Sequence, residues 1–198
     1  MHSIARKVEI LFWINGIKAV TMDKIAQECR ISKKTIYKLF GNKESMVQRI
    51  YSHVLDRIRQ QQESIFRNSV DAIDELLQST HLFSDLKAHF SKAVFDDLEV
   101  QYPDSYRQLI HFRDEFLFAF FRNNLERGIT EGIYRHGINT ELMARHQTMN
   151  AWLYWREDVY PAEKYSTEEL RQQLLRSQLY GLVSDKGKKL LQKNCNSN

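Results

Sequence analysis

The amino-acid sequence predicts an all-α protein, an N-terminal three-helix helix-turn-helix domain followed by a larger helical domain. Three observations carry this prediction. Chain breakers are scarce, with 7 Gly and 2 Pro in 198 residues, whereas Leu, Ile, Glu, Gln, Lys and Arg are plentiful. Apolar residues recur at three- and four-residue spacing. No segment alternates with a period of two, no internal repeat is present, and no stretch is of low complexity. Hydrophobic residues make up 42% of the chain, enough for a core. The division is expected at residue 48, with domains at 1–48 and 49–198.

The first helix is expected near residues 4–15, where Ile4, Val8, Leu11 and Phe12 share one face. Gly16 ends it, as a glycine just past a helix does. Thr21 caps the orphan amides of a second helix, and Asp23 suits that helix's positive end. The second helix ends near Cys29 and a turn follows at Arg30, Ile31 and Ser32. Ser32 caps a third helix running from Lys33 to about Phe40. Gly41 and Asn42 form the next turn, with Asn42 as cap of the fourth helix. That helix is long: Val47, Ile50, Val54 and Ile58 form one stripe, with Met46, Tyr51 and Leu55 beside it. Further helices are expected at 70–78, 83–100, 104–130, 140–158 and 167–182. Pro103 sits at a helix start, where proline is tolerated. Ser166 with Glu169 reads as a capping box. The polar tail after Leu191 is expected to be disordered.

Charge and pattern then point to a function. Residues 1–60 hold 12 Lys and Arg against 5 Asp and Glu, and residues 61–198 hold 17 against 20. Positive charge concentrated at one end is what a phosphate-binding part on a neutral remainder requires, although a solvated helix face gives the same count. Two short helices joined by a tight turn form a unit whose second helix enters the major groove while the first crosses the backbone. Ile25, Ala26, Cys29, Ile31, Ile36 and Phe40 are expected to face inward together, leaving Lys33, Lys34, Thr35, Tyr37 and Lys38 outward. Lysines neutralise phosphates, a threonine contacts a base edge or methyl group, and a tyrosine donates to a phosphate oxygen. Lys43 and the free amides at the start of the fourth helix add an anion site. As a pattern alone, two amphipathic helices with a few lysines also occur in helical proteins that never meet DNA.

The stretch from Thr21 to Met46, Thr-Met-Asp-Lys-Ile-Ala-Gln-Glu-Cys-Arg-Ile-Ser-Lys-Lys-Thr-Ile-Tyr-Lys-Leu-Phe-Gly-Asn-Lys-Glu-Ser-Met, resembles the signature of the tetracycline-repressor (TetR) family. That signature joins an Ile-Ala pair and a small-residue turn to a recognition helix of the form Ser-x-x-Thr-(Leu/Ile)-Tyr-x-x-Phe, then a Lys-Glu-x-Leu opening. The resemblance covers about residues 4–50. It implies a homodimeric regulator, usually a repressor, that binds a pseudo-palindromic double-stranded DNA operator and is released by a small-molecule effector. Carried over by position, it implies that Thr21 caps the backbone-crossing helix and contacts phosphate. Lys33, Lys34 and Thr35 would read bases, Tyr37 and Lys43 would contact phosphate, and Lys38 would touch either. Three departures stand out. Arg30 replaces the usual turn glycine, so the turn either strains a non-glycine residue or adopts another geometry. Leu39 replaces a frequent aromatic residue, and almost no arm precedes the first helix to reach a minor groove. More weakly, Phe95-Asp-Asp-Leu, Tyr102-Pro103, Asn124 to Tyr134, Tyr180-Gly181 and Lys186 to Lys189 resemble regulators of Bacteroidetes-type bacteria.

The remaining chemistry is sparse. Cys29 and Cys195 lie far apart with no CxxC spacing, which fits a reducing cytoplasm. Apolar runs such as 10–14 and 116–121 are far too short to span a membrane, and the N-terminus lacks a signal-peptide pattern. The seven histidines, at 2, 53, 81, 89, 111, 136 and 146, form no metal-ligand pattern. Asp96-Asp97 and Asp114-Glu115 are neighbours on different helix faces and make no acid–base pair. Gly181 to Lys188 has the wrong spacing for a phosphate loop, and the GxxxG of Gly128 and Gly132 reads as helix-end glycines. No catalytic residue, metal or cofactor is expected, so the chain is not read as an enzyme. Phe95, Phe112, Phe116, Phe120, Tyr134, Trp152, Tyr154 and Trp155 could line an apolar pocket between helices, with Phe95, Phe112, Phe116, Phe120 and Trp152 as the effector-pocket candidates, against ordinary core packing for each. The helices near 140–158 and 167–182 resemble the family's dimer-forming pair, with Leu142, Met149, Leu170, Leu174 and Gln178 as candidate interface positions.

Overall fold

The computed structural model describes residues 2–87 and 90–195. Helices α1 (His2–Asn15), α2 (Met22–Cys29), α3 (Lys33–Phe40) and α4 (Lys43–Asn68) are followed by α5 (Ala72–Lys87), α6 (Lys92–Gln101) and α7 (Pro103–His111). A π-helical turn, Phe112–Leu117, leads into α8 (Phe118–Thr130), then α9 (Thr140–Tyr154), α10 (Thr167–Leu182) and α11 (Asp185–Cys195). Strand pairing among the described residues is limited to one isolated bridge, Tyr134 with Val183. The chain forms two compact units, residues 1–58 with 85–112, and residues 59–84 with 113–198.

Sequence-level capping signals act as expected. Thr21 Oγ1 accepts from the Lys24 amide at 3.1 Å and Ser32 Oγ from the Thr35 amide at 3.1 Å. Asn42 Oδ1 accepts from the Ser45 amide at 2.8 Å, and Ser166 Oγ from the Glu169 amide at 3.1 Å. Each satisfies one donor that the first helical turn leaves without a partner. Pro103 stands in the first turn of α7.

Several boundaries differ from expectation, each for a packing reason. The segments expected at 70–78 and 83–100 are divided elsewhere, because the buried stripe Ile73, Leu76, Ser79 and Phe83 carries α5 past residue 78. The helix expected at 104–130 is interrupted by the π turn, an insertion that periodicity does not reveal. α9 stops at Tyr154, where the Trp155 and Arg156 amides bond three residues back and the Trp155 indole donates to the Phe83 carbonyl at 3.2 Å. The tail after Leu191 was expected to be disordered, yet α11 runs to Cys195; residues 196–198 lie outside the described residues. Ser184 Oγ caps α11 by accepting from the Gly187 amide at 3.2 Å. Gly187 itself sits where a Cβ would come 2.2 Å from the Ile133 carbonyl oxygen.

In the first unit, Val8, Phe12, Ile25, Ile36, Phe40, Val47 and Val54 make the core. The buried Glu9 of α1 binds Arg57 of α4 at 2.5 Å, a charged tie within that core. In the second unit, Phe83 meets Phe120 edge-on at 5.8 Å and Trp155 at 6.4 Å. A polar network joins α5 to α8: buried Glu75 accepts from Arg127 at 3.1 Å and from Asn124 at 3.2 Å, and the Tyr134 hydroxyl donates to Asn124 at 3.1 Å. Burial pushes the Glu75 carboxyl up despite these donors. Against its own partial burial, Arg127 is held more firmly charged by Glu131 and Glu75; Glu131 is only half-buried, so the burial cost falls on Glu75.

Candidate nucleic-acid interface

The α2–α3 pair is built by its turn. Arg30 adopts the left-handed conformation, φ 56° and ψ 42°. Its amide donates to the Gln27 carbonyl at 3.0 Å and the Ile31 amide to the Ala26 carbonyl at 3.1 Å. This is the paired closure that glycine usually makes at a helix end. The turn with Arg30 therefore keeps the ordinary geometry and bears the strain of a side chain there. Below it, Met22, Ile25, Ala26, Cys29, Ile36 and Phe40 are buried.

The opposite face of α3 is open. Lys33, Lys34, Thr35, Tyr37 and Lys38 are all exposed, as is Thr21 at the start of α2. Lys33 and Lys34 occupy the first turn of α3, the positive end of its dipole, where cations are disfavoured. Helical stability does not select lysine there; a field that attracts phosphate does. The side chains of Lys34, Tyr37 and Lys38 make no hydrogen bond or ion pair among the described residues. The Thr35 hydroxyl lies 2.8 Å from that of Ser32.

Two of the predicted contact lysines have intramolecular partners that sequence reasoning missed. Lys33 Nζ sits 2.8 and 2.9 Å from the two carboxylate oxygens of Asp23, which hold its ammonium above the ordinary lysine range. Lys43 Nζ donates to the Lys18 carbonyl at 3.3 Å and is half-buried, so burial lowers its affinity for a proton. The Lys18 amide in turn donates to Asp97 of α6 at 2.7 Å. The α1–α2 turn is thus gripped at one residue, Lys18, from both α4 and α6. Asp23 is visible in the sequence as a helix-start acid, but its reach to α3 depends on how the two helices pack. Arg49 closes the other end of α3 by donating to the Leu39 carbonyl at 2.9 Å.

The other candidate residues scatter. Phe95 and Phe112 are buried in the first unit, whereas Phe120, Trp152 and the half-buried Phe116 belong to the second. Arg113 stacks over Trp152 at 5.0 Å and Arg59 over Phe116 at 5.9 Å. None of these five lines the second unit's cavity of about 340 Å³, which lies among α5, α8, α9 and α10, whereas Tyr154 of the wider aromatic set does. Phe95, Phe112, Phe120 and Trp152 are buried among core side chains. Of the interface candidates, Leu142, Met149 and Leu174 are exposed and Gln178 is half-buried. Leu170 is 6% exposed and packs inside its own unit. Among the described residues no group of His, Cys, Asp and Glu could hold a metal, and no helix is long and apolar enough to cross a membrane.

Comparison with known proteins agrees with this geometry. Residues 9–50 match the model of the bacterial regulatory proteins of the tetR family. The chain is 28% identical over 179 residues to the HTH-type transcriptional repressor KstR2 of Rhodococcus jostii, covering 88% of this chain and 86% of that one. Its fold is similar to the ketosteroid transcriptional regulator KstR2 of Mycobacterium tuberculosis, with TM-score 0.65 and 20% identity over 93% of this chain and 95% of that one. It is also similar to a transcriptional regulator of Saccharomonospora viridis solved in complex with choline, with TM-score 0.78 and 16% identity over 91% and 96%. The matched residues 9–50 contain the whole α2–turn–α3 unit with its exposed lysines, and over these residues the chain is similar to the bacterial regulatory proteins of the tetR family.

Proposed function

We propose that this protein is a homodimeric repressor that binds a pseudo-palindromic operator and is released by a small-molecule effector. The observation that carries the DNA reading is the exposed face of α3, with two lysines at a helix start that disfavours them. Residues 1–48 form the DNA-binding part and residues 49–198 the dimerisation and effector part. Lys34 and Thr35 read bases, together with Lys33 once it leaves Asp23. Thr21, Tyr37 and Lys43 contact phosphate, and Lys38 touches either. Leu142 and Met149 of α9 and Leu174 of α10, apolar and exposed, support a dimer through these two helices. Two-fold symmetry then sets the recognition helices about one DNA turn apart, ~34–36 Å. Two similar proteins carry small molecules in their names, a ketosteroid regulator and a choline complex, which supports an effector for this chain.

Fluorescence anisotropy with DNA from upstream of the protein's own gene, against scrambled DNA at several salt concentrations, tests the reading. Selective binding that weakens steeply with salt is expected. Lys43→Ala and Tyr37→Phe should weaken binding to all DNA, while Lys34→Ala and Thr35→Ala should change the preferred sequence, each good base contact being worth about 1–3 kcal/mol of discrimination. Unchanged operator affinity in all four variants would remove the residue assignment.

A further inference from the structure

The sequence left open where a pocket in the second unit would lie, and the lining of the one observed is chemically selective. Its lining includes Phe83 and Phe121, both buried. Two glutamines also line it, Gln147 from α9 and Gln178 from α10. Each has an amide nitrogen out of contact with water and without an acceptor, and Gln147 is 3% exposed overall. A buried donor left unpaired is costly, on the order of 1–3 kcal/mol, and two at one cavity are an unusual concentration of that cost. Among the described residues no Asp or Glu lines the cavity, and the one formal charge is Arg171, already held by Glu168 at 2.9 Å. The walls therefore offer apolar surface and spare hydrogen-bond donors, with no counter-charge for a cation.

The rim places this cavity relative to the proposed dimer face. His146, Asn150, Leu174, Ser177 and Gly181 are lining residues that are exposed. On α9, His146 and Asn150 border the exposed ridge of Leu142, Met149 and Leu153 at helical spacing. The mouth thus opens beside the apolar ridge.

The geometry points to this cavity as the effector site, taking a largely apolar small molecule with a carbonyl or carboxylate oxygen that accepts from Gln147 and Gln178. This rests on the effector reading above and adds the place and the ligand class. The volume is at the lower end of the range for small-molecule sites, ~300–1,000 Å³.

Isothermal titration of the full chain, in its own solution assembly, tests this with three ten-carbon probes below their micelle concentrations: decanoate, 2-decanone and decyltrimethylammonium. Decanoate and 2-decanone should bind one per chain, and the ammonium at least tenfold more weakly. Gln147→Leu and, separately, Gln178→Leu should each weaken the acceptor probes about five- to tenfold without lowering the melting temperature. If one variant fails to fold, the other carries the test. Equal binding of the ammonium, or unchanged affinity in the variants, overturns the inference. So does binding of an acceptor probe only after the dimer is dissociated, which would mean that a second copy fills the cavity. Adding decanoate to the operator complex separates the two readings. Binding without DNA release would end the effector reading and leave the cavity assignment intact. Release that both glutamine variants leave unaltered would do the reverse.

Discussion

At the residue scale, Arg30 shows what a local departure costs. A side chain in the left-handed region crowds the following carbonyl by roughly 1–2 kcal/mol, and the α2–α3 turn bears this because Ile31 and the buried faces on either side fix its geometry. Arg30→Gly is therefore expected to stabilise the protein by about 1 kcal/mol, read as a higher urea midpoint with an unchanged slope. A decrease would mean that the arginine side chain contributes more than its backbone loses. The sequence identified this position as a problem, since the family pattern has glycine there, but left two geometries open. Only the dihedral angles chose between them. Lys33 makes a related point: its exposure was legible, its engagement by Asp23 was not. The partners are ten residues apart on separate helices, so no spacing rule reports their meeting.

At the scale of elements, helix starts were the most legible features because caps are local chemistry. Thr21, Ser32, Asn42 and Ser166 each reach an amide three residues on, a distance that sequence encodes directly. Helix ends and interruptions were less so. Gly128 was read as a helix-end glycine, yet it lies inside α8, where a Cβ would come within 2.1 Å of the Tyr134 ring. The glycine is there for close packing, since Tyr134 folds back over α8 to reach Asn124 and the Ala72 carbonyl. Gly128→Ala should gain helix propensity but lose more to overpacking, for a net destabilisation of about 2 kcal/mol in chemical denaturation. A neutral or stabilised variant would show that the ring has room to move. Gly132 and Gly137, in contrast, take positive φ after the helix, as helix-end glycines do.

At the scale of the whole molecule, the proposed function depends on a second copy. Leu142 and Met149 are 66% and 45% exposed, more than a solitary chain gains by leaving them in water. The double variant Leu142→Lys, Met149→Lys should leave the melting transition of the fold largely intact but shift the protein to monomer in light scattering. Operator affinity should fall with it, because one recognition helix then contacts one half-site. A variant that remains dimeric would assign the interface to another surface. The charge distribution belongs to this scale too: the excess of Lys and Arg in residues 1–60 was plain from composition, and it coincides with the helices that expose it.

By itself the sequence determined the helical class, the order of the first four helices, their caps, and the outward set on α3. These follow from periodicity and from contacts within three or four residues. The tertiary structure alone decided which lysines are already engaged, where α5 and α9 end, that α11 exists, and where the second unit is hollow. Of the aromatic positions expected to line a pocket, Phe95, Phe112, Phe120 and Trp152 are buried away from the cavity among α5, α8, α9 and α10, while Tyr154 lines it. A void is what remains after distant helices have fitted their side chains together, so no one segment of the chain carries a signal for it.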